Sequence, residues 1–171
     1  KLQHKRPDEE ATLRSFVNSF RYNILVVDDD EDNLELAERC LREDHHVITC
    51  NDAATALRIM SKHEIAVLVT DHKMPHMTGL ELLKAMERDF PQAHTTRAGV
   101  SASCNDHESM RDLMNEGKVS HFLAKPYRGQ QLRLLVNQCV EAYARRSENE
   151  HLKRELVRTN RKLKEENSHL R

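Results

Sequence analysis

The sequence is short of three things, and each shortage closes off a class of function. No apolar run comes near the roughly 20 residues that a membrane-spanning helix needs, although 38% of the residues are hydrophobic. The opening Lys1-Leu2-Gln3-His4-Lys5-Arg6 has no apolar segment behind it that could act as a secretory signal. Excess positive charge is missing too. The formal net charge is -1 with 32% charged residues, whereas a nucleic-acid binder should carry a basic footprint. An anionic membrane surface has equally little to attract. Paired cysteines are the third lack. Cys40, Cys50, Cys104 and Cys139 are scattered, with no C-x-x-C pair and no metal-ligand spacing. That is the pattern of reduced thiols, and it sets the expectation of a cytoplasmic protein. The absence of an initiator Met adds the expectation of a fragment, from which a targeting segment could have been removed.

Histidine is plentiful at 11 residues. His45-His46 and the pair His72 and His76 invite a metal reading, but Pro75 breaks any helix that could put the last two on one face. No structural histidine site is expected.

The chain opens with a charged segment. Pro7-Asp8-Glu9-Glu10 suits a helix start, and Leu13, Phe16, Val17 and Phe20 follow at helical spacing. This segment, residues 1–21, is either docked on its own domain or a contact to another chain or domain. An alternating pattern then begins. Ile24-Leu25-Val26-Val27 reads as a strand buried on both faces. Helix is expected over 33–43, strand over 47–50, and helix over 53–62 with Asn51 or Asp52 as cap. A third strand over 65–70 and a helix over 79–89, ended by Pro91, come next. A weaker strand covers 98–102, then a helix over 106–116 with Gly117 as its C-cap. A fifth strand spans 119–123, and helix resumes near Gln130. Five strands alternating with helices through short connections predict a doubly wound α/β domain with a parallel sheet, over residues 22–145. Such domains bind ligands at the carboxyl ends of their strands.

Those ends carry chemistry. The first strand closes on Asp28-Asp29-Asp30, the third on Asp71, the fourth on Ser101-Ala102, and the fifth leads into Lys125-Pro126. Carboxylates gathered in one crevice repel one another. They are tolerable beside a hard cation, and Mg²⁺ prefers an all-oxygen, partly hydrated site. One carboxylate could then act as a nucleophile toward phosphorus. The Lys125 ammonium and Ser101 hydroxyl could stabilise the charge that develops on the phosphoryl oxygens.

From about Tyr22 to Cys139 the chain resembles the receiver domain of bacterial two-component response regulators. The resemblance rests on Ile24-Leu25-Val26-Val27-Asp28-Asp29-Asp30, on Asp71-His72-Lys73-Met74-Pro75 with Gly79, on Ser101-Ala102, and on Phe122-Leu123-Ala124-Lys125-Pro126. It implies a flavodoxin-like receiver fold, with Asp71 as phosphoacceptor. Asp28, Asp29, Asp71 and the Lys73 backbone carbonyl would hold Mg²⁺ or Mn²⁺. Ser101 would follow the phosphoryl group, Lys125 would pair with it, and the Phe122 ring would turn inward as the switch. Asp30 would only start the following helix. The implied partner is a sensor histidine kinase or a phosphotransfer protein, and the only chemistry is self-catalysed phosphoryl transfer and hydrolysis, not an enzyme's turnover. Two features depart from the family pattern. Arg97 and Gly99 weaken the fourth strand, with a mobile Ser103-Cys104-Asn105 loop expected after it. Lys73 sets a long cation two residues past Asp71, able to reach the phosphoryl group and alter its lifetime.

The last segment contains neither Gly nor Pro from Gln130 to Arg171. Leu135, Ala142, Asn149, Leu156, Leu163 and Leu170 recur every seven residues, a d row. The a row is then Leu132, Cys139, Arg146, Lys153, Asn160 and Asn167. Leucine at d with Asn at a is the mark of a register-specified parallel dimer. Arg145 with Glu150, and Glu166 with Arg171, supply flanking pairs. The expectation is a homodimeric coiled coil over 146–171 that continues the last receiver helix toward an output domain beyond the sequence. It would make no direct contact with nucleic acid or membrane. A receiver-like scaffold indifferent to phosphate is the alternative, and a hydrolase on the same carboxylates ranks last because no substrate pocket or cap domain is visible.

Overall fold

The computed structural model describes residues 21–101 and 107–169, with backbone alone at Ser101 and Ser109. The segment with Leu13, Phe16, Val17 and Phe20, the loop Ser103-Cys104-Asn105, and the terminal Leu170 and Arg171 lie outside the described residues. The elements run β1 (Asn23–Val27), α1 (Glu31–Leu41), β2 (His46–Cys50), α2 (Ala53–Lys62), β3 (Val67–Asp71), α3 (Gly79–Asp89), β4 (Thr96–Ser101), α4 (His107–Asn115), β5 (His121–Ala124) and α5 (Gly129–His169). The five strands form one parallel sheet in the order β2-β1-β3-β4-β5. The order reverses between β1 and β3, so the switch point lies beside the ends of these two strands.

Local signals start the helices. The Asp30 carboxylate accepts from the Asp32 N–H at the start of α1, and Asp52 accepts from the Thr55 N–H at the start of α2. Thr78 and Glu81 form a reciprocal capping box at α3. The strand alternation then splits the core in two. Ile24, Val26, Val67 and Val69 face α1 and α5, while Leu25, Val27 and Leu68 face α2 and α3. Every one of these seven side chains is buried, which is why the strands read as continuous apolar runs.

β4 is a full member of the sheet, bonded to β3 and β5 along its length. The two residues expected to weaken it have packing reasons. Arg97 donates from Nη1 to the Gly117 carbonyl at 3.0 Å and faces Glu87 at 3.7 Å. A Cβ on Gly99 would sit 3.1 Å from Cε2 of Phe122 on the neighbouring strand. Glycine thus leaves room for the aromatic ring. The C-cap expectation at Gly117 is corrected. The left-handed residue after α4 is Lys118, at φ 54. Gly117 is needed instead for close approach, because its Cβ would lie 2.7 Å from the Leu113 carbonyl oxygen.

The second correction concerns the heptad. α5 is one unbroken helix of 41 residues, roughly 60 Å long by its rise per residue. Leu132, Leu135, Val136, Cys139, Val140 and Tyr143 are buried against the domain's own sheet. Leu135 therefore belongs to the receiver core and is not available to a second chain. The periodicity was the same because one helix face serves a sheet and a partner helix alike. From His151 to His169 every residue is exposed.

Leu135→Ala should lower the unfolding free energy by about 2–5 kcal/mol, as for a buried leucine. Leu156→Ala should change it by less than about 0.5 kcal/mol at concentrations where the chain is monomeric. Denaturant unfolding of the dilute protein checks both.

Candidate functional site

Asp28 stands one residue beyond β1 and is 3% exposed. Its carboxylate is held from three directions. Oδ1 accepts from the Asp30 N–H at 2.9 Å, and Oδ2 accepts from Asn33 Nδ2 at 3.1 Å and from Lys125 Nζ at 2.9 Å. Asp71 is the last residue of β3 and is 5% exposed. Its Oδ2 accepts from the same Lys125 Nζ at 3.1 Å. Asp29 is exposed at the mouth. One oxygen from each of Asp28, Asp29 and Asp71 lies within 4.8 Å of the others. β1 and β3 are adjacent, so their equal length of pairing brings the two aspartates side by side.

Burial is the main force on Asp71 and pushes its carboxyl above the ordinary value. The Lys125 hydrogen bond and charge oppose this, and the Asp28 carboxylate adds to it. For Lys125, burial works against the ammonium, yet its bonds to Asp28 and Asp71 prevail and raise its pKa. Lys125 is thus held charged between two carboxylates. It follows β5 directly and is joined to Pro126 by a cis peptide.

Asp28, Asp29 and Asp71 gather carboxylate oxygens at one place, so the donor set they offer is all-oxygen and acidic. Both features fit a hard divalent cation. Lys73 is exposed two residues past Asp71. The backbone of Ser101 ends β4 and pairs with Ala124, next to the Asp71↔Val100 pair, while its hydroxyl lies outside the described residues. Phe122 is half-buried against the α2 and α3 face, with its ring over Gly99.

Two contributors were not legible as such, and a third, Gly79, was marked by the resemblance without its role. Asn33 looked like an ordinary first-turn residue, yet it bonds Asp28. Tyr127 is packed beside the core, and its hydroxyl is pushed up to about 12 by burial first and by the Asp28 charge second. Gly79 matters most. A Cβ there would lie 2.3 Å from the Asp71 carbonyl oxygen, and its N–H donates to the His72 carbonyl at 2.9 Å. The start of α3 is thereby clamped on the backbone that carries Asp71. A glycine eight residues past an aspartate hints at this only once the loop is folded back.

Addition of millimolar Mg²⁺ should raise the thermal midpoint by mass action on the folded state. Asp29→Ala should abolish that rise while leaving metal-free stability within about 0.5 kcal/mol, since Asp29 is exposed. Differential scanning calorimetry with and without the ion reads both.

Comparison with known proteins agrees with this geometry. The response regulator receiver domain family matches residues 24–137. Chemotaxis protein CheY of Pseudomonas aeruginosa is 31% identical over 123 residues, covering 69% of this chain and 95% of that protein. The hydrogenase transcriptional regulatory protein HoxA of Bradyrhizobium diazoefficiens is 29% identical over 132 residues, covering 77% of this chain but 27% of that longer protein. Among solved structures, one described as adenylate cyclase from Rhodopirellula baltica superposes with a TM-score of 0.72 at 27% identity, covering 79% of this chain and 98% of that one. The signal receiver domain of an HD domain-containing protein from Pseudomonas fluorescens gives a TM-score of 0.69, at 27% identity, with 75% and 93% covered. The chain belongs to the response regulator receiver domains, the phosphorelay modules of two-component signalling.

Proposed function

We propose that Asp71 is the phosphoacceptor and that the phosphorylated state is transmitted along α5. The observation that carries this reading is the sharing of one buried ammonium, that of Lys125, between Asp28 and Asp71 at adjacent strand ends. Asp28, Asp29, Asp71 and the Lys73 carbonyl are the proposed ligands of Mg²⁺ or Mn²⁺. When bound, that ion would supply positive charge beside the crowded oxygens.

The chain's own residues would do the rest. A carboxylate oxygen of Asp71 attacks the phosphorus of the donor, a phosphohistidine on a sensor kinase or phosphotransfer protein. A P–O bond forms, the P–N bond breaks, and the donor imidazole leaves with a proton from solvent. Lys125 stays protonated throughout, so its ammonium can turn from the Asp71 carboxylate to the new phosphoryl oxygens. Burial helps here, since a low-dielectric wall strengthens that ion pair. Ser101 would approach the same oxygens from the end of β4. Phe122, paired in register with Gly99, would then turn inward from its place over that glycine. Its neighbour Leu123 points to the other face, into the cluster that includes α5. A shift of β5 thereby reaches the root of the long helix.

The domain limits we assign are 1–21 for an N-terminal extension, 22–145 for the receiver and 146–171 for a coiled-coil stem. The stem would pair two copies through Leu156, Asn160, Leu163 and Leu170 and lead to a separate output. The HoxA relatives are much longer than this chain, which spans 27% and 24% of their length. Two structural neighbours carry the words adenylate cyclase and HD domain in their descriptions. An enzymatic or DNA-binding output held as a dimer would suit such a stem. The fourth strand, whose Arg97 and Gly99 depart from the family pattern, is paired from Thr96 on, and both residues have packing reasons.

A small-molecule phosphodonor with Mg²⁺ should add one phosphoryl group, read by intact mass, that is stable in acid and lost in base. Asp71→Asn should take up none. Undiminished uptake by that variant would overturn the assignment. Lys125→Met, assayed in saturating Mg²⁺ and checked for a folded state by circular dichroism, should slow phosphorylation by about 100-fold or more, the scale of losing one charged transition-state contact.

A further inference from the structure

The exposed part of α5 is apolar on one side only. Among the described residues past Tyr143, the large apolar side chains exposed to solvent are Leu152 (57%), Leu156 (62%), Val157 (67%) and Leu163 (51%). With Leu156 and Leu163 at d, Val157 falls at e and Leu152 at g. The b, c and f positions from 147 to 169 are all polar or charged. So the two apolar residues outside the seam flank it, one on each side.

We propose that this face binds a second copy of the chain in parallel and in register, with Leu152 of one helix packed on Val157 of the other. The proposal rests on the reading of the tail as a dimer stem and assigns its orientation and flanking contacts. In a parallel coiled coil, a g side chain meets the e side chain five residues later on the partner helix. Residue 152 then meets 157, the one apolar g with the one apolar e among the described tail residues. The same rule sets Arg145 against Glu150, opposite charges. Asn160 and Asn167, at a, each meet their own copy, so every buried amide finds an amide.

An antiparallel pair does worse on each count. Residues at g then face g, and e face e. Leu152 could then meet Val157 in no register. Asn160 would face a d residue instead of its own copy, and against Leu156 or Leu163 it would lose its hydrogen-bond partner. Parallel pairing also puts both receiver domains at the same end of the stem, where a change at the root of each α5 acts on one seam.

The stem is weak by design of its a row. Lys153, Asn160 and Asn167 leave Leu156 and Leu163 as the large apolar d layers among the described residues. The Leu152–Val157 flank covers the Lys153 layer, where two like charges would otherwise be the worst point of the seam. The four exposed side chains make no contribution to the receiver core, so changing them leaves the domain intact.

Sedimentation of the whole 171-residue chain over a concentration series tests this. The wild type should self-associate, and Leu156→Lys should make it monomeric. Leu152→Glu with Val157→Glu should weaken association about 100-fold, because like charges would meet at both flanks. Leu152→Glu with Val157→Lys should return to within about 10-fold of wild type, as both flanks become ion pairs. Positions five apart lie on different faces of one helix, so no rescue within a single chain is available. A wild type that stays monomeric, or a Leu156→Lys chain that still pairs, would sink both the stem and its orientation. Dissociation by Leu156→Lys without rescue in the Glu/Lys chain would leave the stem standing and overturn the parallel register.

Discussion

The Lys125 ammonium between Asp28 and Asp71 is the contact on which the rest of this domain depends. Two buried carboxylates at adjacent strand ends would each cost several kcal/mol if left unpaired. The ammonium offsets that cost, and the carboxylates in turn keep it charged against its own burial. The arrangement needs β1 and β3 side by side and β5 close enough for a lysine to reach across. It therefore exists only when the 2-1-3-4-5 sheet is complete. Asp29 adds a third carboxylate at the mouth, and the three together offer the oxygen donors that suit a hard cation. Stability and chemistry pull in opposite directions here, and the divalent cation is the natural reconciliation.

Backbone contacts decide how firmly the acceptor is held. Gly79 lies against the Asp71 carbonyl oxygen, and the Thr78–Glu81 capping box closes α3 immediately behind it. The loop between β3 and α3 is thus folded back on the strand that presents the aspartate. Gly99 plays the matching part on β4, where the missing side chain accommodates the Phe122 ring. Both glycines mark places where one backbone needs another group closer than a Cβ would allow. One serves to hold Asp71, and the other makes room for the ring on the neighbouring strand.

α5 joins two environments in one helix. Its first half closes the core through Leu132, Leu135, Val136, Cys139, Val140 and Tyr143. Tyr143 ends that buried row, donates to Glu64 at 2.5 Å and packs edge-on against Tyr22. Beyond it the helix keeps its period but no longer has a sheet beneath it. A rigid element seated on β4 and β5 at one end and exposed at the other is suited to carry a displacement outward.

Much of this was written into local sequence. The continuous apolar strands, the cap at Asp52 as one of the two residues offered there, and the carboxylates closing β1 and β3 follow from short-range patterns. So does the heptad period of α5. The strand-end rule then brings Asp28, Asp71 and Lys125 together, because parallel α/β sheets place their loops at one edge. Other features had no local signature. Heptad spacing could not tell that Leu135 faces a sheet and Leu156 faces solvent, since both lie on the same helix face. Arg97 and Gly99 read as defects until Glu87, Gly117 and Phe122 were brought beside them. The sequence by itself determined which residues carry charge to the strand ends and what period the last helix keeps. The tertiary structure alone decided which side chain each of them meets, because those partners lie far along the chain and only packing selects among them.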